Sequence, residues 1–137
     1  MKRLERPPAG PRGAIGAAAE RAAAAYLIGL GWTVIARNVF VSDLEIDIVA
    51  REPDPLGTFV IVEVRSRSGP SFGAAVESVD ARKVARLYRA AGSLRRGGHP
   101  AVASRCAEEW RVDLLTLRRT ARAVWIVDVH LRGLTPP

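Results

Sequence analysis

The chain has 137 residues, nearly half of them apolar but only 6% aromatic; that length suits one domain burying roughly two-thirds of its unfolded surface, with a core of Ala, Val, Leu and Ile in α/β layers. Its formal charge is +7, from 21 basic against 14 acidic side chains, and only Lys2 and Lys83 are lysines; arginine's planar fork suits phosphate, so a polyanionic partner competes with coding bias as the explanation. A single cysteine, Cys106, excludes an intrachain disulfide and a multi-cysteine zinc site, His99 and His130 read as surface or edge residues, and no apolar run approaches the roughly 18 residues of a membrane span, so a cytoplasmic protein without a membrane partner is expected.

In chain order, residues 1–13 (MKRLERPPAGPRG) are basic and rich in Pro and Gly, and read as a flexible arm before a single domain over 14–132 and a short tail over 133–137. The run GAAAERAAAAYLIGLG from Gly16 predicts a first helix, with an apolar stripe through Ala19, Ala23, Tyr26, Leu27 and Leu30, Glu20 on its surface and Gly31 as its stop. TVIARNVFV (33–41) and LEIDIVAR (44–51) predict two strands, the second alternating so that Glu45 and Asp47 share one face and Ile46 and Ile48 the other. EPDPLG is a turn by its Pro, Asp and Gly content, and TFVIVEVRSR (58–67) a third strand with Glu63, Arg65 and Arg67 on one face.

After the SGPSFG loop, residues 79–96 predict a helix burying Val84, Leu87, Tyr88, Ala91 and Leu94 and displaying Arg82, Lys83, Arg86 and Arg89. WRVDLLTL (110–117) and AVWIVDV (123–129) predict two last strands joined by the basic turn RRTAR. The order helix, three strands, helix, two strands gives an α/β fold, a mixed sheet flanked by helices. Trp32, Trp110 and Trp125 lie in or beside strands, where core packing is the expected role.

A hairpin of the second and third strands, turning near Pro55, sets Asp47 opposite Glu63 and Glu45 opposite Arg65. Two carboxylates so placed repel, and are tolerable only with a proton, a cation or an arginine between them. A divalent ion such as Mg²⁺ or Mn²⁺ answers that need, since it takes few carboxylates and completes its shell with water and phosphate. A solvated strand face is the plainer alternative for acids in this pattern.

The set Glu20, Arg37-Asn38, Glu45-Ile46-Asp47, Glu63-Val64-Arg65-Ser66-Arg67-Ser68, Phe72-Gly73, Val79-Asp80, Lys83 and Arg111-Val112-Asp113 resembles the YraN-like family, small bacterial proteins. That family in turn resembles the restriction-endonuclease-like (PD-(D/E)-x-K) superfamily and, within it, the archaeal Holliday-junction resolvases. The resemblance implies a metal-dependent endonuclease core acting on branched or structured DNA, with Asp47 and Glu63 as metal-binding acids and Glu20 helping to hold a water at the metal. Glu45 matches the glutamate of the family's Gly-Glu-Ile-Asp signature; it could equally be a structural partner of Arg65. A homodimer is implied by analogy with resolvases.

Two positions depart from the pattern. The signature glycine is Leu44, and the lysine of Glu-x-Lys is Arg65. Arginine binds phosphate and stabilises developing charge but does not give up its proton, so it cannot be the general base. Lys83 can supply an ammonium group from the second helix, or base duty can pass to Glu20. The alternative is a nuclease-fold module that binds nucleic acid, or serves as an adaptor, without turnover. On either reading phosphate contacts are expected from Arg82, Lys83, Arg86, Arg89, the SRSGPS loop and Arg67.

Overall fold

A computed structural model describes residues 10–67, 79–97, 100, 102 and 109–135. Helix α1 spans Gly10–Gly29, strands β1, β2 and β3 span Thr33–Val41, Leu44–Arg51 and Phe59–Arg67, helix α2 spans Ala81–Arg95, and strands β4 and β5 span Trp110–Arg119 and Trp125–Leu131. They form the α/β fold expected from the sequence, with a five-stranded mixed sheet in the order β1-β2-β3-β4-β5. Every neighbouring pair is antiparallel except β3–β4, which is parallel and bridged by the crossover that carries α2. This is the arrangement of a restriction-endonuclease-like core.

Helix α1 begins at Gly10, six residues ahead of the expected start, so only residues 1–9 of the expected arm fall outside the described chain. It ends in a glycine cap: Gly31 adopts φ +89°, its N–H donates to Ile28 O, and Trp32 N–H donates to Leu27 O. Ala19, Ala23, Ala24 and Leu27 are buried and Tyr26 half-buried, but Leu30 is exposed, because it lies past the last helical turn. Helix α2 is capped by Asp80, whose carboxylate accepts from Lys83 N–H at 2.9 Å, and it buries Val84, Leu87, Ala90, Ala91 and Leu94. Tyr88 is half-buried and its hydroxyl donates to Leu134 O at 2.7 Å.

Each helix covers one face of the sheet. On the α2 face, Leu87, Ala90 and Leu94 pack with Leu44, Ile46, Val49, Phe59, Ile61 and Val112. On the α1 face, Ala23, Leu27 and Trp32 pack with Ile48, Ala50, Val60, Val62, Leu115 and Leu117. Ile46 and Ile48 therefore serve opposite cores, contrary to the simple alternation read from the sequence. The ladder between β1 and β2 pairs Val39 with Ile46 and Arg37 with Ile48 and skips Asn38 and Asp47 between them. Asn38 takes φ +53°, which asparagine tolerates better than most residues, and this local reversal lets the strands exchange faces.

The β2–β3 hairpin has the expected register, with Ile48 opposite Val62 and Arg51 opposite Phe59. Its turn is closed by Asp54, which accepts from Thr58 N–H at 2.9 Å and from Thr58 Oγ1 at 2.8 Å. Gly57 sits there at φ +65°, a backbone conformation that side chains rarely adopt, beside the Arg51 guanidinium. Gly133 and Leu134, assigned to the tail by sequence, are instead tied to β4: Gly133 N–H donates to Asp113 and Leu134 N–H to Val112 O. Among the described residues no helix is long and apolar enough to cross a membrane.

Candidate functional site

The site forms where β2 and β3 part company. Continued along the hairpin's register, Asp47 and Glu63 would be the next pair after Ile48 and Val62, but the ladder stops before them. Instead the Asp47 carboxylate replaces a backbone acceptor and takes the Val64 N–H through Oδ2 at 2.8 Å. Asp47 is thereby fixed beside Glu63, which lies on the α2 face with only 5% of its surface exposed.

Burial, the repulsion of Glu63 and, more weakly, that of Glu20 and Glu45 push the Asp47 carboxyl well above the usual range, against the pull of the Val64 N–H. Glu63 is raised as well, chiefly by burial; Lys83 and Arg65 pull it down, and Glu45 adds to the rise. Arg65 Nη2 stands 3.0 Å and Lys83 Nζ 3.9 Å from Glu63 Oε2. The cations thus compensate one acid of the pair more than the other.

Opposite these groups, Asn38 gathers the remaining two acids. With its amide turned to satisfy its neighbours, the Asn38 nitrogen donates to Glu20 Oε1 at 3.0 Å and to Glu45 Oε2 at 3.1 Å. The structure therefore brings Glu20, Glu45, Asp47, Glu63, Arg65 and Lys83 into one electrostatic neighbourhood. The expected Glu45–Arg65 pairing is not what forms: Arg65 turns to Glu63, two residues back on its own strand, while Glu45 is engaged by Asn38. One donor of Arg65, Nε, is buried without a hydrogen-bond partner.

The other expected residues are more dispersed. Arg82 and Arg89 are exposed on α2, and Arg86 reaches Asp43 at 3.9 Å. Arg67 ends β3 opposite Arg118, but its side chain, the rest of the SRSGPS loop, Phe72, Gly73, His99 and Cys106 lie outside the described residues.

A divalent cation suits the donor set, because two carboxylates raised chiefly by burial, Asp47 also by the charge of Glu63, are relieved by positive charge between them. Among the described residues no three His, Cys, Asp or Glu side chains converge to enclose an ion. Asp47 and Glu63 are the pair available, and one or two carboxylates suffice for an ion that draws its other ligands from water and phosphate.

Sequence reasoning gave no role to two further features. Asn38 was quoted only as part of a motif; an asparagine amid β-branched residues was the available sign of a backbone reversal. The second is a buried polar network at the β4–β5 seam. Asp113, 0% exposed, accepts from Arg111 Nε at 2.8 Å and Nη2 at 3.0 Å, and from Gly133 N–H at 2.9 Å. His130 Nε2 is 2.9 Å from Asp113, its Nδ1 is 3.1 Å from the Tyr26 hydroxyl, and Glu52 bridges Arg111 and Arg132. His130 does lie on an edge strand, but its side chain is only 7% exposed, because Asp113 and Tyr26 satisfy both ring nitrogens. Trp32 is buried and Trp110 and Trp125 half-buried, each packed against one of the two cores.

Comparison with known proteins gives relatives of similar size. A UPF0102 protein of Deinococcus radiodurans is 48% identical over 86 residues, covering 62% of this chain and 68% of the relative. One from Sorangium cellulosum is 43% identical over 107 residues (78% and 71%), and one from Burkholderia pseudomallei strain 1106a is 41% identical over 122 residues (88% and 77%). Residues 19–117, which run from α1 through most of β4 and include every acid of the site, match the same family. The chain belongs to the uncharacterised protein family UPF0102, the YraN family.

Proposed function

We propose that this protein is a metal-dependent endonuclease-like phosphodiesterase that binds DNA and cleaves structured or branched forms of it. The observation that carries this reading is the Asp47–Glu63 pair, both carboxyls raised chiefly by burial and Asp47 further by the charge of Glu63, with Arg65 and Lys83 on its flank. Asp47 and Glu63 would hold Mg²⁺ or Mn²⁺, which when bound neutralises phosphoryl charge and makes water a better nucleophile. Arg65 and Lys83, both partly exposed beside Glu63, would bind phosphate oxygens. Arg65 keeps its proton, so proton acceptance falls to Glu20, oriented by the Asn38 amide. Exposed Arg82 and Arg89 would contact the flanking backbone. On this reading the protein acts in the cytoplasm, and a homodimer would present two sites to a branched substrate.

The test is a Mg²⁺ and Mn²⁺ titration of the full chain on supercoiled plasmid and four-way-junction DNA, with thermal unfolding measured in parallel. Cleavage and a metal-dependent rise in unfolding temperature are expected, and both disappear in Asp47→Ala. Metal uptake without cleavage of any DNA would defeat the endonuclease reading.

One observation favours a second reading, a nuclease-fold module that binds without turnover: the strand position of the motif lysine is filled by an arginine engaged at 3.0 Å with Glu63. There Arg65→Lys raises cleavage by roughly 10²-fold or more, the scale of a restored proton-transfer group. Vigorous cleavage by the natural protein eliminates this reading.

A further inference from the structure

The nucleic-acid contacts assigned so far lie on β3 and α2, yet the largest group of arginines on the described surface outside them is at the β4–β5 turn. Arg118, Arg119 and Arg122 stand within five residues there. Arg118 Nε is 2.9 Å from Asp128 Oδ1 and so is partly neutralised. Arg119 and Arg122 are exposed, and among the described residues neither pairs with a carboxylate.

The turn that presents them is rigid. Thr120 N–H donates to Val124 O at 2.8 Å, Val124 N–H to Thr120 Oγ1 at 3.1 Å, and Ala123 N–H to Thr120 O at 2.9 Å. Ala123 holds φ +61° to close it. Two guanidinium groups on such a frame lose less freedom on meeting a ligand than they would on a loose loop.

Its place in the sheet links it to the acids. Strands β3 and β4 are parallel, with Glu63 beside Leu114, Arg65 beside Thr116 and Arg67 beside Arg118. The turn therefore lies beyond the carboxyl-terminal ends of the parallel strands β3 and β4, the side on which open α/β sheets bind ligands. From Leu114, beside Glu63, to Arg119 is five residues, or about 17 Å along the strand at ~3.3 Å per residue. That matches roughly five base-pair steps of duplex at ~3.4 Å each.

We infer that Arg119 and Arg122 form a second phosphate-binding element, gripping the backbone of the same DNA about five base pairs from the point held at Asp47 and Glu63. This rests on the DNA-binding reading proposed above. The β4–β5 turn and the exposed face of α2 then bracket the acids, and the grip carries no sequence preference because it touches only phosphate.

The experiment measures binding of the full chain to a labelled 30-base-pair duplex, without divalent metal, across a salt series. Each phosphate contact contributes about 0.9 to the slope of log K against log salt. Arg119→Ala/Arg122→Ala should lower that slope by about 1.8 and weaken binding roughly 10- to 50-fold at ~0.1 M salt. Arg96→Ala, at the far end of α2, should leave both unchanged, and thermal unfolding should show all variants folded. Wild-type protein that fails to bind the duplex overturns the DNA-binding reading and this inference with it. Wild-type binding that the double variant retains in full overturns this inference alone.

Discussion

Replacing Asp113 by asparagine probes how far the buried β4–β5 network holds the sheet together. The carboxylate is 0% exposed and accepts four bonds, two from Arg111, one from His130 and one from Gly133 N–H. Asparagine keeps the shape but turns one acceptor into a donor facing donors, and it leaves Arg111 short of its counter-charge. Breaking a buried pair in this way costs about 3–5 kcal/mol, a third or more of the stability of an ordinary domain. For a chain of this length that lowers the unfolding midpoint by roughly 10–15 °C.

Thermal and urea unfolding followed by circular dichroism at pH 7.5 would measure the loss. Burial alone would raise the Asp113 carboxyl, but the bonds from His130, Arg111 and Gly133 outweigh it and hold the group below its ordinary range. A carboxylate depressed in the folded state contributes its stability above the unfolded value, about 3.9, and loses it as pH falls through the folded one. The gap between wild type and Asp113→Asn should therefore be full at neutral pH and shrink below about pH 4. A variant within about 1 kcal/mol of wild type at pH 7.5, or a gap that widens in acid, would refute the reasoning.

Asn38→Asp puts a carboxylate where two carboxylates now receive an amide, and should cost about 2 kcal/mol or more in urea unfolding at neutral pH. Asn38→Gly accepts the φ of +53° and should cost less, while weakening any Mn²⁺-dependent cleavage because Glu20 and Glu45 lose their guide. Gly57→Ala should destabilise the hairpin by about 1–2 kcal/mol in the same assay, since a Cβ at φ +65° meets the Arg51 guanidinium. Tyr26→Phe removes the hydroxyl 3.1 Å from His130 Nδ1 and should lower stability by about 1 kcal/mol, with the spectrum of the fold unchanged.

Much of this molecule was legible in the order of its residues. β-branched content and apolar alternation marked β1 and β2 at their observed bounds, and Pro, Asp and Gly over 53–57 marked the hairpin turn whose register carries Asp47 towards Glu63. Apolar spacing marked the buried face of α2, though the cap at Asp80 emerged only in the structure. These are local signals, written in periods of two and 3.6 residues and in the backbone needs of turns.

What the tertiary structure alone decided lies where local and distant demands conflict. Perfect alternation would have put Ile46 and Ile48 in one core; the reversal at Asn38 divided them between two, because helices cover both faces and each needs apolar partners. Arg65 could have met Glu45 across the hairpin or Glu63 on its own strand, and the parting of β2 and β3 chose Glu63. The pairing of His130 with Tyr26 spans 104 positions. No pattern in a short window encodes it, since such a buried bond exists only once the sheet and helix have closed around it.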